Sequence, residues 1–330
     1  MSITIKDVAK QANVSVATVS RILNNLPGYS NETQERVEKV IKELGYQPNE
    51  VARGLINRKT KTIGVILPNV SDLFAGEILA GIEEQAYASN YSVMICKTNY
   101  DNKRKIKYLQ TLYEKRVDGI IIISERITQD FYKAIEMIKI PVVLVATQSD
   151  YPLPFIKVND YQASYDATTY LVKKGHSRIG MIAGSEGDII STIPRVKGFR
   201  EALNDAKITF TNEMITYGDF SFESGIDEMN NLLKSYPEVT AIFCASDEMA
   251  VGALSFLYKK GIKVPDSISI IGYDNTATAE RAIPPLTTVA QPLKEMGKAS
   301  IHLLLDSSVK IDQIYPHHIA ERDTVRSYSE

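Results

Sequence analysis

From Thr62 to Tyr273 the chain alternates short, almost continuously apolar runs with longer amphipathic segments. The runs are Ile63 to Leu67, Ser92 to Cys96, Gly119 to Ile123, Val142 to Ala146, Ile179 to Ala183, Thr240 to Cys244, and Ile268 to Tyr273. A strand with one face in water alternates in polarity, so a run such as Gly119-Ile120-Ile121-Ile122-Ile123 belongs in a parallel sheet covered on both faces. Helices are expected at Phe74 to Tyr87, Lys103 to Lys115, Tyr161 to Lys173, Arg195 to Asp205 and Glu248 to Lys260. The pattern predicts doubly wound α/β architecture, used twice. With 330 residues, 44% of them hydrophobic, the chain has material for two or three domains with substantial cores.

The first 60 residues have a different period. Thr4 is placed to cap a helix with Asp7 three residues on, and Ile5, Val8, Ala9 and Ala12 recur on one apolar face. Asn13-Val14-Ser15 then makes a short turn in which Ser15 accepts the free N–H groups of a second helix, Val16 to Leu23. A third helix begins after Ser30, buries Val37, Val40, Ile41 and Leu44, and ends at Gly45. The first pair reads as a helix-turn-helix. In such a pair the second helix enters the major groove with its N-terminal residues toward the bases, so Val16, Ala17 and Arg21 are the candidate readers. The Arg21 guanidinium suits the O6 and N7 acceptors of guanine, whereas Val16 and Ala17 suit thymine methyls. Thr18 and Ser20 are candidate phosphate contacts. The same pattern also fits an ordinary helical subdomain with a solvated basic face. Residues 1–61 hold 10 Lys+Arg against 6 Asp+Glu, a net of +4 inside a chain of net −2, so positive charge gathers where phosphate would be met.

Residues 45–55 decide between these readings. The segment Gly45-Tyr46-Gln47-Pro48-Asn49-Glu50-Val51-Ala52-Arg53-Gly54-Leu55, with Thr4-Ile5-Lys6-Asp7-Val8-Ala9 and Ala17-Thr18-Val19-Ser20-Arg21, resembles the lactose repressor/galactose repressor (LacI/GalR) family of bacterial transcription regulators. The resemblance runs over nearly the whole chain. It implies a helix-turn-helix domain at 1–47, a hinge helix and linker at 48–61, and an effector-binding and dimerisation domain at 62–330. The last would be a clamshell like a periplasmic sugar-binding protein, with an N-lobe of about 62–159 plus 292–320 and a C-lobe of about 160–291 plus 321–330. The resemblance also implies that hinge helices of two subunits pair in the minor groove and insert Leu55 at the central base step. Such a wedge unstacks one step at a cost of about a few kcal/mol, offset by phosphate contacts from groups such as Arg53. Gly54 costs the hinge helix about 1 kcal/mol relative to Ala, so that helix is expected to order mainly on DNA. Thr4, Ser15, Asn24, Tyr46, Asn49 and Ala52 complete the candidate DNA contacts.

Ligands of doubly wound sheets bind beyond the carboxyl ends of the strands, and the residues there suit a polyol. Phe74 and Phe220 are candidates to stack on apolar sugar faces. Asn159, Asp160, Arg195, Ser246, Asp247, Asp274 and Gln291 supply donors and acceptors for hydroxyls. Several match effector positions of the family: Arg195 in Arg195-Val196-Lys197-Gly198-Phe199, Phe220 after Gly218-Asp219, and Asp274 closing Ile271-Gly272-Tyr273-Asp274. Asp247 reads equally well as a helix N-cap, and Tyr273 and Met249 read as packing residues.

Other classes find little support. No Walker loop, Gly-x-Ser-x-Gly elbow, His-Glu-x-x-His or dinucleotide fingerprint occurs, so neither an enzyme nor a cofactor is expected. Cys96 and Cys244 read as separate buried thiols of a reducing compartment. Of the four histidines, His176 reads as a loop residue and the His317-His318 pair as surface, without the ligand set of a metal site. With no apolar leader and no membrane-length segment, a cytoplasmic protein is expected. A sugar-binding protein without a DNA role is the alternative of another class, but it has no use for the first 60 residues. Expected partners are palindromic double-stranded operator DNA, a sugar or sugar-phosphate effector, and a second copy of the chain, a dimer rather than a tetramer. Within the family, Asp247-Glu248-Met249-Ala250 and Pro285-Leu286-Thr287-Thr288 are most similar to the catabolite control protein A-like subgroup of Gram-positive bacteria. That subgroup answers to a phosphorylated carrier protein. It has tyrosine and arginine on its carrier-binding surface where this chain has Lys294 and His302, and lysine where this chain has Arg195. The departures favour a local sugar-responsive repressor over a global catabolite regulator.

Overall fold

The computed structural model describes residues 3–46, 59–306 and 312–328, and the chain divides into two compact units, 1–60 and 61–330. The hinge residues Asn49, Ala52, Arg53 and Leu55 lie outside the described residues.

The first unit holds α1 (Ile5–Gln11), α2 (Val16–Leu23) and α3 (Asn31–Leu44). Each start is fixed by a side chain. Thr4 and Asp7 form a capping box, Ser15 accepts the Thr18 N–H at 3.0 Å, and Ser30 accepts the Thr33 N–H at 3.3 Å. Gly45 closes α3 in the left-handed region at φ 61°. Val8, Ala9, Ala12, Val19, Ile22, Val37 and Val40 form the core, and the Arg36 side chain donates to the Ala12 carbonyl, tying α3 to the turn. Burying each Val or Ile is worth roughly 1.5–3 kcal/mol, so a core of this size holds three short helices that would be marginal alone.

The second unit contains two six-stranded sheets. In the first, β1 (Thr62–Leu67), β2 (Ser92–Lys97), β3 (Gly119–Ile123), β4 (Val142–Val145), β5 (Phe155–Val158) and β11 (Gln313–Tyr315) run parallel in the order β11-β5-β4-β3-β1-β2. Its covering helices are α4 (Leu73–Ala88), α5 (Asn102–Glu114), α6 (Gln129–Ile138) and α12 (Leu293–Leu305). The isoleucine run of β3 divides as the pleat requires: Ile120 and Ile122 pack with Leu109, Leu112 and Phe131 on one face, Ile121 and Ile123 with Ile78 and Ile82 on the other. β2 is the exception to two-sided cover, with Ser92, Ile95 and Lys97 exposed at the sheet edge.

The second sheet has the order β12-β10-β9-β8-β6-β7, from β6 (Ile179–Ala183), β7 (Ile215–Tyr217), β8 (Ala241–Cys244), β9 (Ser269–Asp274), β10 (Thr287–Ala290) and β12 (His318–Ala320). Its helices are α7 (Asp160–Lys173), α8 (Thr192–Asp205), α9 (Phe222–Ser235), α10 (Asp247–Lys259) and α11 (Ala277–Arg281). One correction concerns its edge: β12 pairs antiparallel with β10, so this sheet is not wholly parallel. The chain passes between the sheets after β5, after β10 and between β11 and β12. Because β12 already belongs to the second sheet, the last crossing falls at Pro316-His317, short of the expected boundary at 320.

Strand order reverses beside β1 and β3 in one sheet and beside β6 and β8 in the other. The ligand-type residues were expected at the carboxyl ends of the strands, beside such reversal points.

Candidate functional site

In the first unit, burial of Val19 and Ile22 turns the opposite face of α2 outward. Val16 is 41% exposed, and Ala17 and Arg21 are exposed beside it. The polar candidates are already engaged locally. The Ser15 and Thr18 hydroxyls lie 2.9 Å apart, the Thr4 hydroxyl donates to Asp7, and the Asn24 amide donates to the Ser20 carbonyl. Ser20 is half-buried, and Tyr46 packs against the head core. The Arg21 side chain rests against Gly28, whose φ of 118° would strain any other residue.

In the second unit the candidate site is built around Asp160 and Arg195. Asp160 opens α7, directly after β5, and Arg195 lies on the first turn of α8. Arg195 Nε and Nη2 both reach Asp160 Oδ1, at 3.0 and 2.8 Å, and Nη1 donates to the Ala245 carbonyl at the end of β8. Lys157 Nζ takes the other Asp160 oxygen at 3.0 Å, and the Tyr273 hydroxyl donates to Oδ1 at 3.3 Å. The guanidinium lies 3.7 Å from the centre of the Tyr273 ring and 6.0 Å from that of Phe220. Among the described residues three of its five donors are committed, which immobilises the guanidinium and leaves two N–H groups uncommitted. The glycine three residues on has a packing reason: a Cβ on Gly198 would stand 2.2 Å from the Tyr161 carbonyl oxygen. Gly184 likewise leaves room for the Phe220 ring.

Asp274 closes β9 at φ 123°, a conformation that costs a non-glycine residue about 1–3 kcal/mol and is held by its surroundings. Its Oδ1 accepts from Gln291 Nε2 at 2.8 Å. Burial, reinforced by nearby Asp247, holds this carboxyl well above the ordinary range, although Arg195 and Gln291 pull it back. Burial also pushes Asp247 up to about 6, opposed by hydrogen bonds from Thr288 and Thr276. The helix-cap reading of Asp247 is corrected: Ser246 caps α10 through the Met249 N–H, and Asp247 instead clamps Thr276 and Thr288 from inside. Ser246 further donates to the Phe220 carbonyl, holding the aromatic beside the site.

Asp160, Arg195, Phe220, Ser246, Asp247, Asp274 and Gln291 are therefore joined by contact or by field. Two expected residues make no hydrogen bond or ring contact with this group among the described residues. Asn159 is exposed and caps α7 by accepting the Gln162 N–H, while Phe74 is half-buried against the large core cluster, to which Phe220 also packs. Cavities of about 320 and 360 Å³ flank the crossing at Gln291-Pro292; Gln291 lines both, whereas Arg195 and Asp274 line neither. Arg195 and Asp274 are themselves buried, apart from both cavities.

Sequence reasoning missed four residues. Lys157 shares Asp160 with Arg195. Asp188 accepts the N–H groups of Ile190, Ser191 and Thr192, fixing the turn into α8; an Asp three to four residues ahead of Ser191-Thr192 was the available signal. Thr192 is buried, and its hydroxyl lacks a hydrogen-bond partner among the described residues, a state worth about 1–3 kcal/mol to relieve. The Tyr100 hydroxyl is pushed up to about 12, first by burial and then by Asp72, Glu125, Asp188 and Asp219, which come from both lobes. The ring as a whole is largely exposed, so burial acts on its hydroxyl end.

The histidines differ in part from expectation. His176 is buried between Thr240 and the Arg326 carbonyl, and His317 is not a free surface group but pairs with Asp166 at 2.8 Å. Cys96 and Cys244 are separate and buried. Among the described residues no cluster of His, Cys, Asp or Glu could hold a metal, and no helix is long and apolar enough to cross a membrane.

A helix-turn-helix head joined to a two-lobed unit with a polar crevice defines a ligand-responsive DNA-binding regulator. Comparison with known proteins agrees. Residues 4–49 match the family "Bacterial regulatory proteins, lacI family", and residues 60–326 match "Periplasmic binding proteins and sugar binding domain of LacI family"; the chain belongs to the LacI family. It is 35% identical to catabolite control protein A of Priestia megaterium, over 99% of this chain and 100% of that one. It is 36% identical to the HTH-type transcriptional repressor PurR of Vibrio atlanticus, over 98% and 99%. A solved lac repressor dimer bound to operator and the anti-inducer ONPF is similar with a TM-score of 0.89 at 28% identity, covering 99% of this chain and 100% of that one.

Proposed function

We propose that this protein is a cytoplasmic repressor of carbohydrate-utilisation genes that binds a palindromic operator as a dimer and is controlled by a sugar-type effector held between its lobes. One observation carries the reading: a helix pair exposing Val16, Ala17 and Arg21 shares a chain with a crevice in which Arg195 and Asp274 stand at the carboxyl ends of parallel strands. The relatives' names support the regulatory half, and the match to a sugar-binding domain supports the ligand half.

In this reading α2 enters the major groove, Arg21 donates to guanine, and the paired Leu55 side chains open the central step. The effector bonds Arg195, Asp160's partners and Asp274, and prefers one angle between the lobes. Operator affinity then changes by the ligand's differential affinity for the two lobe arrangements. Carrier-protein control is disfavoured. On α12, Lys294, which stands where the carrier-controlled subgroup has a tyrosine, is paired with Glu84 at 2.7 Å.

Selection of bound sequences from random duplex DNA by the full-length protein tests the first half; a palindrome is expected, and the absence of any sequence preference contradicts the reading. Titration with the phosphorylated carrier protein tests the second, and tight binding would reverse the preference for a sugar.

A further inference from the structure

The joint between the linker expected at 48–61 and the second unit is made by side chains as well as by the sheet. The ladder of the first sheet begins at Thr62, which opens β1 and pairs with Ser92 of β2. Lys61 stands one residue outside it and is held at three points. Its carbonyl accepts the Ser92 N–H at 2.8 Å, its N–H donates to Asp118 Oδ2 at 2.9 Å, and its Nζ lies 4.4 Å from the centre of the buried Tyr91 ring. The backbone there is left-handed, at φ 54°, a conformation unfavourable to a residue with a Cβ, so these contacts are what hold it.

Asp118 can hold Lys61 because its own place is fixed from two sides. It is half-buried directly ahead of β3, and its N–H donates to the Thr62 carbonyl at 2.8 Å. The next residue, Gly119, lies so close to α12 that a Cβ would press into the Leu304 side chain. α12 in turn packs backbone to backbone on α4: a Cβ on Gly81 would meet the Lys294 carbonyl, and one on Gly297 the Ile78 carbonyl. Lys61 is thereby part of the rigid lobe, and the Asp118 bond fixes the peptide between Thr60 and Lys61, one peptide farther out than the ladder reaches. Two heads on one duplex bind as linked modules, and the second contact depends on linker length. Releasing one residue lengthens a chain by up to about 3.3–3.6 Å. One extra base pair moves two operator half-sites apart by about 3.4 Å. The lengths match, so one freed residue on each linker is enough to change which spacing a dimer can span.

We propose that Asp118 is a positioning residue for operator recognition: by holding the Lys61 amide it fixes where the linker leaves the lobe, and thereby the half-site spacing that the dimer accepts. This inference rests on the proposed operator-binding dimer and deepens it. In this role Asp118 acts through Lys61 and needs no contact with DNA.

The test uses the full-length protein, the palindrome that it selects from random duplex DNA, and the same palindrome with one base pair inserted at its centre. Fluorescence anisotropy gives the ratio of affinities for the two duplexes. The parent should bind the longer duplex at least tenfold more weakly. Asp118→Ala should shrink that ratio severalfold, whereas Asp118→Asn, whose Oδ1 can still accept the Lys61 N–H, should keep it within twofold of the parent. A glycine inserted between Thr60 and Lys61 lengthens the linker without touching the lobe, and should shrink the ratio as Asp118→Ala does. An unchanged ratio in Asp118→Ala or in the glycine insertion overturns the inference, as does a parent indifferent to the extra base pair; the operator reading stands in each case. Equal weakening of Asp118→Ala on both duplexes makes the residue merely structural and has the same consequence. If no palindrome is selected, the operator reading itself fails and this inference falls with it. Should Asp118→Ala not fold, hydrogen exchange at the Lys61 amide of the parent decides: protection is expected, and exchange as fast as in an unstructured chain refutes the anchor.

Discussion

Replacing Arg195 with Met tests the proposed ligand role of this residue apart from its structural one. Met keeps an unbranched stem to lie on the Tyr273 ring but loses both bonds to Asp160 and the bond to the Ala245 carbonyl. Removing one partner of a buried ion pair costs about 3–5 kcal/mol, and because Lys157 stays on Asp160 the loss should fall near the lower end. At roughly 2–4 °C per kcal/mol for a domain of this size, about 3 kcal/mol lowers the melting temperature by roughly 6–12 °C. A domain stable by about 5–15 kcal/mol remains folded after such a loss. The assay is a thermal melt, then operator binding by fluorescence anisotropy well below the melt, with and without a sugar that raises the parent's melting temperature in a thermal-shift screen. The variant should bind operator within twofold of the parent and ignore the sugar. If it still responds to the sugar, Arg195 is structural only. If it loses operator binding while folded, the separation between reader and crevice is wrong.

The same contacts set three further outcomes. Arg21→Ala should lose about 1–3 kcal/mol on the selected operator and relax preference at one base pair, measured on singly substituted operators; an equal loss on all sequences would make Arg21 a phosphate contact. The Asp247 carboxyl titrates near 6 in the fold against an ordinary value of 3.8, so the stability it lends is present below about pH 4 and is lost as pH rises through 6. Asp247→Asn should accordingly gain stability relative to the parent between pH 4 and 7 in urea melts, and a parallel pair of pH profiles would refute the shift. Gly198→Ala places a methyl 2.2 Å from the Tyr161 carbonyl oxygen, so α7 and α8 must separate at a cost of about 1–3 kcal/mol, visible as a lowered denaturation midpoint; an unchanged midpoint would show that the helix pair has slack.

The sheets were legible where physics leaves a one-dimensional trace. β1, β3, β4, β6, β8 and β9 are buried on both faces, so their sequences are apolar throughout. β10 was not legible, because Thr287-Thr288 looks like turn chemistry. Its hydroxyls are satisfied at long range, Thr288 by Asp247 and Thr287 by the Arg322 N–H. β5 was hidden by Lys157, a cation inside a strand that makes sense only once Asp160 is placed beside it. The site divides in the same way. Arg195, Asp274 and Phe220 stand in recognisable local phrases, whereas the contribution of Asp188 depends on a loop that it shapes itself and that of Tyr100 on carboxylates from both lobes. The capping role of Ser246 and the internal role of Asp247 lie one residue apart, and only their partners tell them apart.

The proposed function requires that a ligand between the lobes and DNA on the head be thermodynamically linked. Calorimetric titration of the sugar into the full-length protein, with and without saturating operator duplex, measures that link directly. Operator should change the sugar's affinity severalfold, by the same factor by which the sugar changes operator affinity, and Arg195→Met should abolish both effects. Equal sugar affinity in the presence and absence of operator would contradict the claim.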